Sequence, residues 1–260
     1  MHLVQSVINE IKKVAPGYFL LKLTASTIAS EAKPGQFIQI KVGDALSVDP
    51  LLARPISIFR INKEEGSISL LFKAVGKGTK LLASKRKGDA LTIWGPIGNG
   101  FEVPEETGNI ALIAGGIGMP PLFCLIEQLS FREKPPRSTF FYGGRSAQDL
   151  LRLDLWEKNN IPVELATEDG SLGTKGLVTE LFIDDHQTNH YDYIIACGPA
   201  PMLAEIQKIA VISRLNGQFS LEAHMACGVG ACLGCTCQTN HGPKRVCVDG
   251  PVFSIKEVIF

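Results

Sequence analysis

The first hundred residues alternate between apolar and polar positions with a period of two. In residues 36–42 one face carries Ile38, Ile40 and Val42, and the other carries Gln39 and Lys41. That alternation is typical of a half-buried strand. Four further segments have strand character, at residues 18–23, 56–60, 67–73 and 90–94. Turn-forming pairs such as Pro34-Gly35 and Glu65-Gly66 separate them. The spacing predicts a small β-barrel domain over residues 1–101.

From residue 109 onward the pattern changes to short apolar strands followed by helical segments. The strands are predicted at residues 110–114, 139–142, 163–166 and 193–196, and the helices at 122–129, 149–158, 177–183 and 201–211. Wholly apolar strands that alternate with helices indicate a doubly wound α/β parallel sheet. We place this domain at residues 102–215 and expect residues 216–260 to form a small C-terminal module.

Composition excludes several classes of protein. The chain has 260 residues, a formal net charge of zero, 45% hydrophobic and 20% charged residues, as in ordinary globular proteins. The sequence has no basic stripe, so nucleic acid is not expected as a partner. No apolar run approaches the roughly 20 residues of a membrane span. The N-terminal residues lack the features of a secretory signal. Seven cysteines with clustered spacing favour reduced, metal-binding thiols in a cytoplasmic protein.

Four cysteines near the C-terminus carry the strongest signal. Cys227, Cys232 and Cys235 have the C-x4-C-x2-C spacing of a plant-type 2Fe–2S site, and Cys247 follows as a fourth thiolate. Glycines between them favour tight turns that aim backbone amides at sulfur. A structural zinc site is the main alternative, followed by disulfides or unligated thiols. If these thiols hold an iron–sulfur cluster, the protein is expected to carry electrons one at a time.

Two segments of the predicted barrel have groups suited to a phosphate or a flavin. In Arg54-Pro55-Ile56-Ser57 the arginine can clamp a phosphate and the hydroxyl can bond a flavin edge, although such a tetrapeptide often arises by chance. In Gly76-Lys77-Gly78-Thr79 the amides at a helix start suit a pyrophosphate. The alternative for the second segment is a glycine turn that Thr79 caps.

Two turns of the predicted parallel sheet are candidates for binding a dinucleotide. Gly115-Gly116-Ile117-Gly118 follows the first parallel strand and opens a helix, although Pro121 replaces the third glycine of the usual fingerprint. Cys197-Gly198 ends the last parallel strand and is expected to face the same crevice, which residues 167–170 could border. A buried cysteine at a strand end is more often a core residue.

In this order, the motifs resemble the ferredoxin–NADP reductase superfamily over essentially the whole chain. Residues 222–235 and 245–253 are similar to the electron-transfer subunits of NAD-dependent dihydroorotate dehydrogenases. The resemblance implies FAD in the barrel, NAD on the parallel sheet and a 2Fe–2S cluster in the tail. The implied FAD residues are Arg54, Pro55, Ile56, Ser57, Leu71, Phe72, Lys73, Gly78 and Thr79. The implied NAD residues are Gly115, Gly116, Gly118, Cys197 and Gly198. The implied cluster ligands are Cys227, Cys232, Cys235 and Cys247. Cys237 departs from the family pattern.

The resemblance also implies a role in pyrimidine biosynthesis. Electrons would pass from FMN on a separate dihydroorotate dehydrogenase subunit through the cluster and FAD to NAD, in a heterotetramer with two copies of each subunit. No side chain need act as an acid or base, and Cys197 is expected near the nicotinamide. One alternative is a reductase subunit that serves a hydrogenase, a sulfur reductase or a ferredoxin. Another is a zinc-stabilised adaptor with a degenerate flavin fold.

Overall fold

The computed structural model describes residues 1–43 and 49–260, and six strands of its N-terminal half close into a barrel. Around the barrel the order is β1-β2-β5-β4-β3-β6, and all neighbours are antiparallel. The elements are β1 (His2–Ala15), β2 (Tyr18–Thr24), α1 (Ser26–Glu31), β3 (Phe37–Lys41), β4 (Arg54–Asn62), β5 (Ser67–Lys73), α2 (Lys77–Ala83) and β6 (Ala90–Ile97). The predicted barrel is confirmed.

The barrel interior is filled by the alternating apolar side chains. Ile38 and Ile40 of β3 are fully buried there, as the sequence predicts. Strand β1 was not predicted, because its alternation is inverted: Leu3 and Val7 face solvent, whereas Ser6 is buried. The Ser6 hydroxyl avoids a desolvation cost by donating a hydrogen bond to the Thr24 carbonyl at 2.7 Å. A polar residue at a core position therefore concealed the longest strand of the barrel.

The second half of the chain forms a seven-stranded sheet of order β10-β9-β8-β7-β11-β12-β15. Every pairing is parallel except β12 with β15. The elements are β7 (Asn109–Gly115), α3 (Met119–Leu129), β8 (Arg137–Gly144), α4 (Leu153–Lys158), β9 (Val163–Thr167), β10 (Thr174–Lys175), α5 (Val178–His186), β11 (Tyr193–Cys197), α6 (Ala200–Ile212), β12 (Asn216–Ser220), β13 (Thr236–Cys237), β14 (Lys244–Arg245) and β15 (Val252–Ser254).

Helices cover both faces of this sheet. Phe123 of α3 and Trp156 of α4 pack into the core on one face, and Phe182 of α5 and Ile206 of α6 pack into the core on the other. The predicted doubly wound sheet is therefore confirmed. Among the described residues, no helix has both the length and the apolar character needed to cross a membrane.

The C-terminal segment joins the sheet to the barrel. Strands β12 and β15 extend the parallel sheet, while β13 and β14 form a separate hairpin. Phe37 and Ile97 of the barrel share one buried cluster with Cys235, Cys247 and Phe253. The sulfur-bearing loop thus packs against the outer wall of the barrel. The boundaries at residues 101 and 215 stay a prediction.

Candidate functional site

Arg54 and Gly78 lie in contact, although 24 positions separate them in the chain. Arg54 begins β4, and its Nη1 donates hydrogen bonds to the carbonyls of Leu52 at 2.7 Å and Ala53 at 3.1 Å. A Cβ atom on Gly78 would lie 2.3 Å from the Arg54 Nε, so only glycine leaves room for the guanidinium here. The arrangement places a fixed positive charge against the first turn of α2, where a phosphate can be held.

The other predicted flavin residues have different surroundings. Thr79 caps α2, since the Gly76 amide donates to its hydroxyl at 3.1 Å. Phe72 is buried inside the barrel beside Phe19, with ring centroids 5.8 Å apart. Leu71 is buried between the barrel and the parallel sheet. Leu71 and Phe72 are each only 2% exposed, and their side chains are core residues.

Pro55, Ile56 and Ser57 are half-buried along β4 and keep part of their surface open to a ligand. Ser57 lies opposite Phe37 in the ladder between β3 and β4, and Pro55 lies opposite Gln39. Residues directly opposite each other in a ladder share a face. Ser57 and Pro55 therefore face outward, toward the side of the barrel where the C-terminal segment packs.

Lys73 takes part in a clasp between the barrel and the parallel sheet. The Tyr18 hydroxyl donates to Asp149 Oδ1 at 2.5 Å, and Lys73 Nζ lies 3.0 Å from the same oxygen and 4.7 Å from the Tyr18 ring centroid. Burial opposes ionisation of Asp149, but the hydrogen bonds from Tyr18 and Lys73 outweigh it and lower the pKa of the carboxyl. Burial and the bond to Asp149 raise the pKa of Tyr18. We name these three residues the interdomain clasp.

The two predicted dinucleotide turns meet at the carboxyl edge of the sheet. A Cβ on Gly118 would lie 2.1 Å from the Cys197 carbonyl oxygen, and one on Gly198 would lie 3.0 Å from the Gly115 amide nitrogen. Gly116 adopts a φ of +52°, which favours glycine. The two turns therefore approach each other closely at Gly118 and Gly198, whereas a Cβ on Gly116 would meet nothing within 4 Å. The open space at Gly116 leaves room for a dinucleotide phosphate at this edge of the sheet.

Cys197 is buried, and burial together with the nearby Glu222 raises the pKa of its thiol, which is therefore neutral. Glu222 is a residue that sequence reasoning missed. Part of Glu222 is exposed, and burial of its carboxyl by the surrounding protein raises the pKa of that group. Glu222 follows β12 closely, and Ser220 at the end of β12 pairs with Cys197. Recognising β12 as a strand would have located Glu222 at this edge.

The four predicted cluster ligands form two pairs. The Cys227 thiol is within hydrogen-bond reach of the Cys232 side chain, and the Cys235 thiol is within reach of Cys247. Burial opposes ionisation of Cys227, but hydrogen bonds from the Val229 amide, from the amide and side chain of Cys232 and from the Ala231 amide outweigh it and lower the pKa of Cys227 to about 6. Burial and the bond to Cys235 raise the pKa of Cys247 to about 11.

The paired arrangement fits two irons better than one ion. In the described part of the chain, no three His, Cys, Asp or Glu side chains converge on a point that could hold a single metal ion. A tetrahedral zinc site requires four ligands around one ion, whereas a 2Fe–2S cluster takes two protein ligands at each iron. Two thiol pairs are the protein ligand arrangement that the predicted 2Fe–2S cluster requires.

The turn that carries Cys247 is fixed by an ion pair. Arg245 Nε lies 3.1 Å from Asp249 Oδ2, and its Nη1 donates to the Gly230 carbonyl at 3.3 Å. The amide of Cys247 in turn donates to Cys235 Sγ at 3.4 Å. Cys237 is half-buried beside the core on the hairpin strand β13, opposite Lys244. These contacts favour Cys247 over Cys237 as the partner of Cys235.

Comparisons with known families agree with both halves of the site. Residues 222–259 match the iron–sulfur cluster binding domain of dihydroorotate dehydrogenase B, and residues 112–208 match the oxidoreductase NAD-binding domain. A solved NADH-dependent reduced ferredoxin–NADP oxidoreductase, from work on flavin-based electron bifurcation, superposes with a TM-score of 0.85. It is 28% identical and covers 98% of this chain and 90% of its own. These matches confirm the predicted iron–sulfur cluster and NAD, and the reductase fold confirms FAD.

Curated relatives match over nearly the full chain. The dihydroorotate dehydrogenase B (NAD(+)) electron transfer subunit of Desulforamulus reducens is 38% identical, over 95% of this chain and 94% of its own. The subunit of the same name from Clostridium acetobutylicum is also 38% identical, over 98% of this chain and 96% of its own. The resemblance predicted from the motifs is confirmed, and the chain belongs to the family of dihydroorotate dehydrogenase B (NAD(+)) electron transfer subunits.

Proposed function

We propose that this chain carries electrons between an FMN-containing dihydroorotate dehydrogenase subunit and NAD, as part of pyrimidine biosynthesis. The observation that carries the proposal is the division of four cysteines into two pairs on a loop packed against the outer wall of the barrel. When bound, NAD exchanges a hydride, the cluster exchanges single electrons, and FAD can do both.

The side chains of this chain hold and orient these groups. Arg54 and Gly78 bind the FAD phosphates, while Pro55 and Ser57 face the flavin on the outer wall of β4. Gly115, Gly116 and Gly118 bind the NAD phosphates, and the neutral Cys197 thiol packs beside the nicotinamide. Cys227, Cys232, Cys235 and Cys247 hold the 2Fe–2S cluster. Each assignment is supported by the contacts of these residues, and none requires a side chain to act as an acid or base.

The face around the cluster loop suits a partner protein. Val229, Leu233 and Val248 expose 45%, 63% and 40% of their surface, and the exposed Cys232 lies on the same loop. Exposed apolar side chains around a redox site mark a surface that a partner can cover. We propose that the FMN-containing subunit docks here, in a cytoplasmic heterotetramer with two copies of each chain. The seven free cysteines support a reducing compartment.

A second candidate is a subunit that connects NAD(P)H with a ferredoxin-linked complex. The similarity to the solved NADH-dependent reduced ferredoxin–NADP oxidoreductase favours it, because that structure covers 98% of this chain. The same three cofactors would serve, and only the protein docked at the cluster loop would differ.

Purification under anaerobic conditions followed by reconstitution tests the proposal. We expect one FAD and two irons per chain, reduction of artificial acceptors by NADH, and no oxidation of dihydroorotate by the chain alone. Addition of the FMN-containing subunit from the same cell should make NAD reduction depend on dihydroorotate. Dihydroorotate oxidation by the isolated chain contradicts the proposal. Failure to bind that subunit, together with electron transfer to a ferredoxin, supports the second candidate.

A further inference from the structure

Gln39 is a buried amide with no protein partner. It lies on β3 between Ile38 and Ile40, which face the barrel interior, so Gln39 itself points to the outer wall. The sequence pattern predicts a polar side chain in water at such a position. Instead, Gln39 is 0% exposed, and within residues 1–43 and 49–260 neither its Oε1 nor its Nε2 has a hydrogen-bond partner.

Such an arrangement is costly unless something else satisfies the amide. A buried polar group without a partner has given up its hydrogen bonds to water for nothing in return, and native structures keep few of them. An apolar side chain of similar size would fill the same space without that cost. The position of Gln39 therefore indicates a partner that the polypeptide itself does not supply.

Two candidate cofactor sites border Gln39. In the ladder with β4 it lies opposite Pro55, which belongs to the proposed flavin segment. On the other side it lies against Gly228, the residue after Cys227. A Cβ on Gly228 would lie 2.8 Å from the Gln39 Cγ and 2.9 Å from its Nε2. Gly228 has a φ of +68°, so its conformation and the close approach of Gln39 both favour glycine.

We propose that Gln39 is a positioning residue between the FAD and cluster sites, whose Nε2 donates a hydrogen bond to cluster sulfur at the Cys227 turn. The proposal rests on the proposed function, since it requires both cofactors. Of the Gln39 carboxamide atoms, Nε2 lies nearest to the position that a Cβ on Gly228 would take, so the N–H donor is on the side of the turn that follows Cys227. The bond holds the Cys227 turn against the outer wall of the barrel, beside Pro55.

A donor at cluster sulfur has a defined electrostatic consequence. Reduction adds negative charge to the cluster, so a hydrogen bond to sulfur stabilises the reduced form more than the oxidised form. Removing the donor therefore lowers the reduction potential. Gln39 then favours the cluster as an electron acceptor, in addition to fixing its distance from the flavin.

The test is Gln39→Leu in the protein that holds both cofactors, with potentials measured by an EPR-monitored redox titration. We expect the reduction equilibrium of the cluster to shift about tenfold toward the oxidised form, which is about 59 mV for one electron. Gln39→Glu keeps the size and the acceptor oxygens but loses the donor, so its cluster should shift in the same direction. The FAD content should equal that of wild type in both variants.

Gln36→Leu is the matched control, because Gln36 is a carboxamide on the same segment whose atoms are already paired. Its Nε2 donates to the Gly98 carbonyl at 2.6 Å, and its Oε1 accepts from the Lys33 amide at 2.8 Å. The control should leave the cluster equilibrium within twofold of wild type.

The possible outcomes distinguish failure of the proposed role of Gln39 from failure of the proposed function of the chain. A cluster equilibrium within twofold of wild type in Gln39→Leu, or a raised potential, overturns the role of Gln39. Iron loss from both Gln39 variants with full FAD makes Gln39 a packing residue beneath the Cys227 turn and overturns its role as a hydrogen-bond donor. Joint loss of FAD and iron makes Gln39 a folding residue and overturns it. A wild-type protein without flavin or iron contradicts the proposed function instead.

Discussion

The barrel and the cluster loop hold their candidate cofactors in different ways. Arg54 and Gly78 are fixed by β4 and α2 on a closed barrel whose strands pair continuously and whose interior is filled. The cluster loop between β12 and β15 has one hairpin of two-residue strands and turns with positive φ at Gly228, Gly230 and Leu233. We therefore expect the barrel site to be formed before FAD binds and the order of the loop to depend on the metal it holds.

The largest effect is expected at the cysteines. Serine at position 227, 232, 235 or 247 should abolish the cluster, because a hard oxygen ligand replaces a soft thiolate. Hydrogen exchange should then increase in residues 221–250 and stay unchanged in the barrel. Iron analysis and exchange mass spectrometry measure both. Cys237→Ser is the control and should retain its iron; full iron in Cys247→Ser with iron loss in Cys237→Ser would reverse the ligand assignment.

The barrel site should lose its ligand without losing its structure. Arg54→Ala should weaken FAD binding about ten- to a hundredfold, because it removes a charge-assisted contact of about 1.5–3 kcal/mol. Equilibrium dialysis measures the affinity, and the spectrum of the cluster should survive. Lys80→Ala removes a charge from the exposed side of the same helix and serves as the control. Unaltered flavin affinity in Arg54→Ala would make Arg54 a structural residue.

Two glycine substitutions test the same site by adding a Cβ atom, without removing the charge of Arg54. Gly78→Ala should weaken FAD binding severalfold or more, because the added Cβ would displace the Arg54 guanidinium. Gly76→Ala is two residues away, and a Cβ there would meet nothing within 4 Å. Its FAD affinity should stay close to wild type. Equal affinities for the two variants would show that contact between Arg54 and Gly78 does not build the site.

The interdomain clasp should give the smallest effect. Asp149→Asn should lower the free energy of unfolding by about 1–2 kcal/mol at neutral pH. Because the folded-state pKa of Asp149 is lowered, its contribution is present above the unfolded-state pKa and is lost as pH falls through the folded-state value. The difference between variant and wild type should therefore shrink below about pH 4. Urea unfolding at several pH values measures it.

Asp154→Asn is the control for the clasp, because Asp154 pairs with Arg152 at a half-exposed surface site within the sheet domain. Its effect should stay below about 1 kcal/mol. A larger loss in Asp154→Asn than in Asp149→Asn would mean that the clasp does not hold the barrel and the sheet together.

Local patterns predicted most elements, and non-local contacts explain what was missed. Strand β7 and the alternation of β3 follow directly from periodicity, because burial on one or both faces selects their residues. Strand β1 was missed because its buried Ser6 depends on a carbonyl of β2, which the local sequence does not reveal. The cysteine spacing predicted the cluster, because one short loop supplies three of its ligands.

The contacts between residues of the candidate sites could not be predicted from the sequence, because they depend on how the chain folds. Arg54 approaches Gly78 because α2 connects β5 to β6, which β4 and β3 separate in the barrel, and Gly118 approaches Cys197 because β7 and β11 are neighbours in the sheet. Gln39 was predicted as a polar outward residue, and its side is correct; its burial arises only because the cluster loop packs over it. No local pattern marks a strand residue that a loop residue 189 positions away, Gly228, covers in this way.

The central claim is that the cluster loop and the barrel act in series, and Cys247→Ser tests it most directly. The variant should be mixed with the FMN-containing subunit, with gel filtration to confirm that the complex forms. NADH should still reduce FAD in the barrel and support reduction of artificial acceptors, because Arg54 and Gly118 are intact. Dihydroorotate-dependent reduction of NAD should fall to background. NAD reduction at the wild-type rate in a complex without the cluster would contradict the account.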